Sequence, residues 1–110
     1  MGTKIQEYMA SFDLSRAFRQ FQRADKALNN DNTDSAVSHL KKGITLVAKS
    51  IDHISNAVDD TFDNAADMFE KGNKELQKSI DAFADGKDDS AKRHYEKALD
   101  LYDEALELVI

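Results

Sequence analysis

The chain has 110 residues, no cysteine, proline or tryptophan, and a formal net charge of −6. This length predicts one domain with a modest core, and the missing cysteines exclude disulfides, thiolate metal sites and a cysteine nucleophile. The acidic balance argues against a nucleic-acid binder, which needs a basic surface, and no apolar run reaches the ~20 residues of a membrane span.

Met1 to Phe12 lacks the apolar stretch and small-residue cleavage site of a secretory signal. Gln6 stands where a myristoylation signal has Ser or Thr. A cytoplasmic location is therefore expected. From there, small residues recur every seven positions, and four residues after most of them comes a large one. The first predicted helix, 4–29, carries Ala10, Ala17 and Ala24 with Leu14, Phe21 and Leu28. The second, 34–58, carries Ala36, Gly43, Ser50 and Ala57 with Leu40, Val47 and Ile54. The third, 62–84, carries Ala65, Gly72 and Ser79 with Phe69, Leu76 and Phe83. The fourth, 89–109, carries Ala91, Ala98 and Ala105 with Tyr95, Tyr102 and Val109. Alternating steps of four and three mark a helix seam in a bundle. A strand needs period two, which no segment sustains.

Asn29 to Thr33 and Asp85 to Asp88 have the Asn, Asp and Gly content of turns. Thr33 or Asp34, and Asp88 or Asp89, are expected to cap the helices that follow. The middle connection is expected at Asp59 to Thr61, with Asp60 or Thr61 as cap. An alternative is one continuous rod through the second and third helices, with two chains completing a swapped bundle.

A shift of 55 residues lays Leu14, Phe21 and Leu28 on Phe69, Leu76 and Phe83, and His39 on His94. It also lays Asp34-Ser35-Ala36 on Asp89-Ser90-Ala91. Such a repeat sets the architecture: an all-α, up-and-down four-helix bundle built from a duplicated helical hairpin. Residues 1–110 form a single domain, with hairpin 1 at about 4–58 and hairpin 2 at about 62–109. Small residues facing large ones let helices approach closely, so Ala17, Gly43, Gly72 and Ala98 are expected to be buried against neighbouring backbones.

Two surfaces suggest partners. Val37, Ile44, Ile51 and Val58 widen the apolar face of the second helix, and Leu99, Leu101, Leu106 and Leu108 that of the fourth. Either the fourth helix is deeply buried or this width is a homodimer or partner face. The second surface is a basic stripe on the first helix, Arg16, Arg19, Arg23 and Lys26. It stands out because residues 1–58 carry eight Lys/Arg and six Asp/Glu, whereas residues 59–110 carry seven and fifteen. The stripe suits an acidic protein partner or the acidic half of a second copy. Membrane adsorption is not expected, because the opposite apolar face is committed to the core.

His39-Leu40-Lys41-Lys42-Gly43 fits H-x-x-K-G on a helix. At these residues the chain resembles the histidine phosphotransfer domains of bacterial phosphorelays, which are four-helix bundles. The resemblance implies His39 as phospho-acceptor, Lys42 steadying the phosphoryl group and Gly43 leaving room for a receiver domain. Positions i, i+3 and i+4 share a helix face, and imidazole is a workable nucleophile near its usual pKa of about 6.5. The chain departs from that family at Lys41 and at Ile44-Thr45-Leu46, where leucine and small residues are usual. The repeat also carries His94-Tyr95-Glu96-Lys97-Ala98, so the spacing belongs equally to the duplicated scaffold. Gly86 to Leu101, with Ala91, Tyr95 and Ala98, resembles the second helix of tetratricopeptide-type pairs, without their closing proline.

Other chemistry finds little support. His39 and His53 lie fourteen residues apart, about 21 Å along a helix, too far to share an ion. No E-x-x-H occurs, so the di-iron bundle pattern is missing, and Met9 and Met68 read as packing rather than haem ligands. Carboxylate pairs such as Asp59-Asp60, Asp88-Asp89 and Asp103-Glu104 read as caps and solvated charge. No phosphate-loop, nucleophile-elbow or dinucleotide motif is present. The sequence thus predicts a non-enzymatic interaction or regulatory protein, self-associating, with no cofactor, metal or small-molecule substrate; a phosphotransfer protein using His39 is the alternative.

Overall fold

The computed structural model describes the backbone of residues 2–55 and 60–109 and the side chains of residues 13–53 and 64–108. Four helices follow one another: α1 (Gly2–Asn29), α2 (Thr33–Ser55), α3 (Asp60–Ala84) and α4 (Asp88–Val109). They form an all-helical bundle with extents of 46 × 19 × 18 Å. The backbones of α1 and α2, α2 and α3, and α3 and α4 come within 8 Å of each other. This side-by-side packing of α2 on α3 rules out the continuous rod. The expected cap at Asp60 or Thr61, the side chains of Met9, Ala10, Ile54, Ala57, Val58 and Val109, and most of the middle connection lie outside the described residues.

Both hairpin turns use one device at repeat-equivalent positions. Asp31 and Gly86 take the left-handed conformation, with φ of 58° and 75°. In each turn two amides fold back on the helix end: Asn32 N to Ala27 O at 2.8 Å with Asp31 N to Leu28 O at 3.1 Å, and Lys87 N to Ala82 O at 2.8 Å with Gly86 N to Phe83 O at 3.1 Å. These bonds satisfy carbonyls that a helix end leaves without partners. The caps differ from expectation. Asn32, not Thr33 or Asp34, caps α2, its Oδ1 accepting from Ser35 N at 3.2 Å. Asp88 and Asp89 lie inside the first turn of α4, where carboxylates act on the helix dipole rather than as caps. The turn device places the last residue before the helix at Asn32 and Lys87, one position earlier than composition suggested.

The heptad of small residues is buried. Ala17, Ala24, Ala36, Ala65, Ala91, Ala98 and Ala105 are fully inaccessible, and Gly43 and Gly72 are buried with them. Each glycine admits an aromatic ring. A Cβ on Gly43 would stand 2.3 Å from the ring of Phe21, and one on Gly72 would stand 2.4 Å from that of Tyr102. The two rings stack on each other, centroids 5.5 Å apart and 9° from parallel. They close the bundle where the backbones stay apart, because α1 and α4 have no approach within 8 Å among the described residues. Tyr95 adds an edge contact to Phe21 at 6.4 Å, and its hydroxyl donates to the carbonyl of Phe21 at 3.2 Å. Tyr102 donates to Oδ1 of Asn73 at 2.6 Å. Burial first, and for Tyr95 also the neighbouring Asp25, pushes both phenols well above their usual range, so they stay protonated.

The polar seam residues are satisfied. Ser79 donates across to the carbonyl of Ala91 at 2.7 Å, and Ser50 bonds back to that of Leu46 at 3.3 Å. Among the described residues no buried side-chain polar atom lacks a partner, as a folded core requires.

The glycine–ring contacts generate a prediction. In hairpin 2 the positions equivalent to Phe21 and Gly43 hold Leu76 and Ala98, both fully buried. Gly43→Ala should lower urea stability by about 1–2 kcal/mol, because overpacking outweighs the gain of about 1 kcal/mol in helix propensity. Combining it with Phe21→Leu should recover about 1 kcal/mol relative to the sum of the single changes. Strict additivity in that double-mutant cycle would refute the interlock.

Candidate functional site

The site is best approached through the histidines. His39 is half-buried on α2, and its Nδ1–H donates to Oε1 of Gln20 on α1 at 2.8 Å. His94 on α4 makes the same reach to Oε2 of Glu75 on α3 at 2.7 Å. Gln20 and Glu75 are also 55 residues apart, so both hairpins carry one interhelix clip at equivalent positions. The third histidine, His53, brings Nε2 to 3.5 Å from Oδ2 of Asp13. Its repeat equivalents are Leu108 and Met68, so hairpin 2 has no counterpart of that pair. Sequence reading set His39 on His94 through the repeat; it missed Gln20 and Glu75, since partners on another helix depend on register. The shared shift of 55 was the available signal.

The clip in hairpin 1 divides a groove between α1 and α2 into two open troughs of about 380 and 250 Å³. The first is lined by Arg16, Gln20, Lys41, Lys42, Thr45 and Leu46. The second includes Arg23, Lys26, Ser35 and His39. The structure therefore gathers three members of the predicted basic stripe, and adds Lys41 and Lys42 from α2. Arg19, the fourth, is exposed on α1 but lines neither trough. Lys42 and His39 line different troughs, Lys42 that of Gln20 and His39 that of Arg23 and Lys26. Troughs this open suit a surface bearing side chains better than an enclosed small molecule.

The groove differs from its duplicate in charge. The five lining cations Arg16, Arg23, Lys26, Lys41 and Lys42 correspond to Lys71, Lys78, Asp81, Glu96 and Lys97. Neutral Gln20 and Thr45 correspond to Glu75 and Asp100. Hairpin 2 thus mixes signs where hairpin 1 lines its groove with cations alone. Its charges also pair locally: Lys78 lies 3.5 Å from Glu75, and Gln77 donates to Asp81 at 3.1 Å. In the hairpin 1 groove Arg16 lies 4.0 Å from Asp13.

The apolar candidates are largely absorbed by the core. Val37, Ile44, Leu99 and Leu106 are half-buried and pack against it, and Ile51 is buried within it. Leu101 is half-buried. Leu108, at 42 %, is the one exposed large hydrophobic among the described residues. No group of three or more His, Asp or Glu among the described residues is placed to hold a metal ion, and none of their helices is long and apolar enough to cross a membrane.

The clips generate a pH prediction. The hydrogen bond from His94 holds the Glu75 carboxyl below its ordinary value of 4.5, with smaller help from Lys78 and against partial desolvation. A depressed carboxylate contributes stability that is complete above pH 4.5 and is lost as pH falls through its lowered pKa. Glu75→Gln should copy the neutral Gln20–His39 clip, lose at pH 7 the stability that the ionised carboxylate contributes, and flatten the loss below pH 4.5, so that the two proteins converge in acid. Gln20→Glu should introduce the same acid sensitivity in hairpin 1. Urea midpoints measured between pH 7 and pH 3 test both; unchanged acid slopes would refute the assignment.

Comparison of the chain with protein-family models, with curated proteins and with solved structures finds no match.

Proposed function

We propose that this protein is a non-enzymatic interaction module that docks an acidic protein surface in the α1/α2 groove. One observation carries the reading: five cations and no carboxylate line the groove of hairpin 1, while the duplicated groove mixes both signs. Two copies of one hairpin share the same packing demands. A difference confined to exposed charge is therefore a difference in what the surface meets, not in what holds the fold. The protein as a whole is acidic, so a local cationic trough also steers an anionic partner to one place.

Binding of a short fluorescent poly-glutamate peptide, followed by anisotropy, tests this. Arg23→Glu with Lys42→Glu should weaken binding by about tenfold or more, as expected for reversing two contacts worth up to about 1 kcal/mol each. The equivalent pair in hairpin 2, Lys78→Glu with Lys97→Glu, changes net charge equally and should shift affinity less than about twofold. Equal effects from both pairs would reduce the groove to bulk charge and defeat the reading.

A phosphotransfer role for His39 is a second reading, favoured by one detail. His39 engages Gln20 through Nδ1, which leaves Nε2 as the nitrogen without that contact, on a residue lining a trough with Arg23 and Lys26. Acid-labile, base-stable phosphate after treatment with acetyl phosphate, lost in His39→Gln and kept in His94→Gln, would support it. No labelling, or equal labelling of both variants, would dismiss it.

A further inference from the structure

Resting on the docking role of the groove, we propose that its occupant is the C-terminal half of α4 in a second copy of this chain. Asp100, Asp103, Glu104 and Glu107 are all exposed there, and no Lys or Arg lies between Lys97 and Ile110. From Asp100 to Glu107 the helix rises about 10 Å, and from Arg16 to Lys26 about 15 Å, so the stripe fits within the length of the groove. Leu108, exposed at 42 %, lies one turn from Glu104 on the same face. It gives the stripe an apolar anchor, and the groove offers Leu46 and the methylene stems of its lysines to receive it.

The carboxylates themselves call for a cation. The C-terminus of a helix is the negative end of its dipole, which disfavours an acid in the last turn, here Glu107. α4 has no basic residue in its last turn, and none of the four carboxylates forms a hydrogen bond or ion pair with another described side chain. They repel one another at spacings of three and four. α1 behaves oppositely, carrying Lys26 in its last turn. Setting α4 in the cationic groove of a neighbour relieves the repulsion and the dipole conflict together. Groove and stripe occupy different hairpins, so each copy offers both halves of the contact.

Sedimentation velocity on the full chain at low and high salt tests the proposal. At low salt the wild type should associate as its concentration rises, and high salt should return it to monomer. Arg23→Glu with Lys42→Glu, and separately Asp103→Lys with Glu107→Lys, should each lower the association constant by about tenfold or more. An equimolar mixture of the two variants should regain association, because each reversed surface then meets a reversed partner. A wild type that stays monomeric yet binds poly-glutamate through the groove would overturn self-docking and leave the groove reading intact. Association that neither pair weakens, or a mixture that fails to recover it, would also overturn it; loss of poly-glutamate binding from the wild type would remove both.

Discussion

The structure depends on two rings being driven into two glycines. Phe21 lies where a side chain on Gly43 would be, and Tyr102 lies where one on Gly72 would be. Because the rings stack flat at 5.5 Å, neither half can shift without disturbing the other. Close packing leaves little slack for such a shift. This contact joins α1 to α4, the adjacent pair whose backbones do not approach within 8 Å among the described residues. The hydroxyls of Tyr95 and Tyr102 are also held, one by a backbone carbonyl of α1 and one by Asn73. A bundle made of two hairpins needs something to stop them sliding, and the aromatic stack supplies it.

Duplication then separates what the fold requires from what it does not. The left-handed turn residues Asp31 and Gly86, the clips at His39 and His94, and the buried small residues recur at the same shift. These positions are under packing constraint in both copies. Phe21 with Gly43 against Leu76 with Ala98 shows that volume can be redistributed inside one layer while the fold survives, as core repacking generally allows. Surface charge has no such constraint, since single exposed charges contribute little to stability. The cation-only lining of one groove is therefore free to answer to a partner.

Much of the fold was legible because helix seams are local. The heptad of Ala17, Gly43, Gly72 and Ala98 announces four rods and their buried edges from spacing alone. The caps were less legible. Asn32 and Thr33 are both good cap residues, and the choice between them depends on which residue turns left-handed. Half of the candidate site was visible, since Arg16, Arg23 and Lys26 share a helix face in the sequence. Lys41 and Lys42 join them only when α1 and α2 are set in register. The apolar width of α2 and α4 left burial and a partner face open in the sequence, and in the structure Ile44, Leu99 and Leu106 pack against the core.

The acidic half of α4 is where the levels of the structure disagree most. Its inner face satisfies the bundle through Tyr102 and Ala105, both fully buried. Its outer face sets four carboxylates at spacings of three and four, with Glu107 in the last turn against the helix dipole and no cation between Lys97 and Ile110. Local and global preferences agree nearly everywhere else in this chain, from the paired turns to the satisfied serines. Sequences that specify one structure keep such conflicts to places where something other than folding is at stake. The α1/α2 groove carries the complementary charge, and that match is the ground on which a second copy is proposed as its occupant.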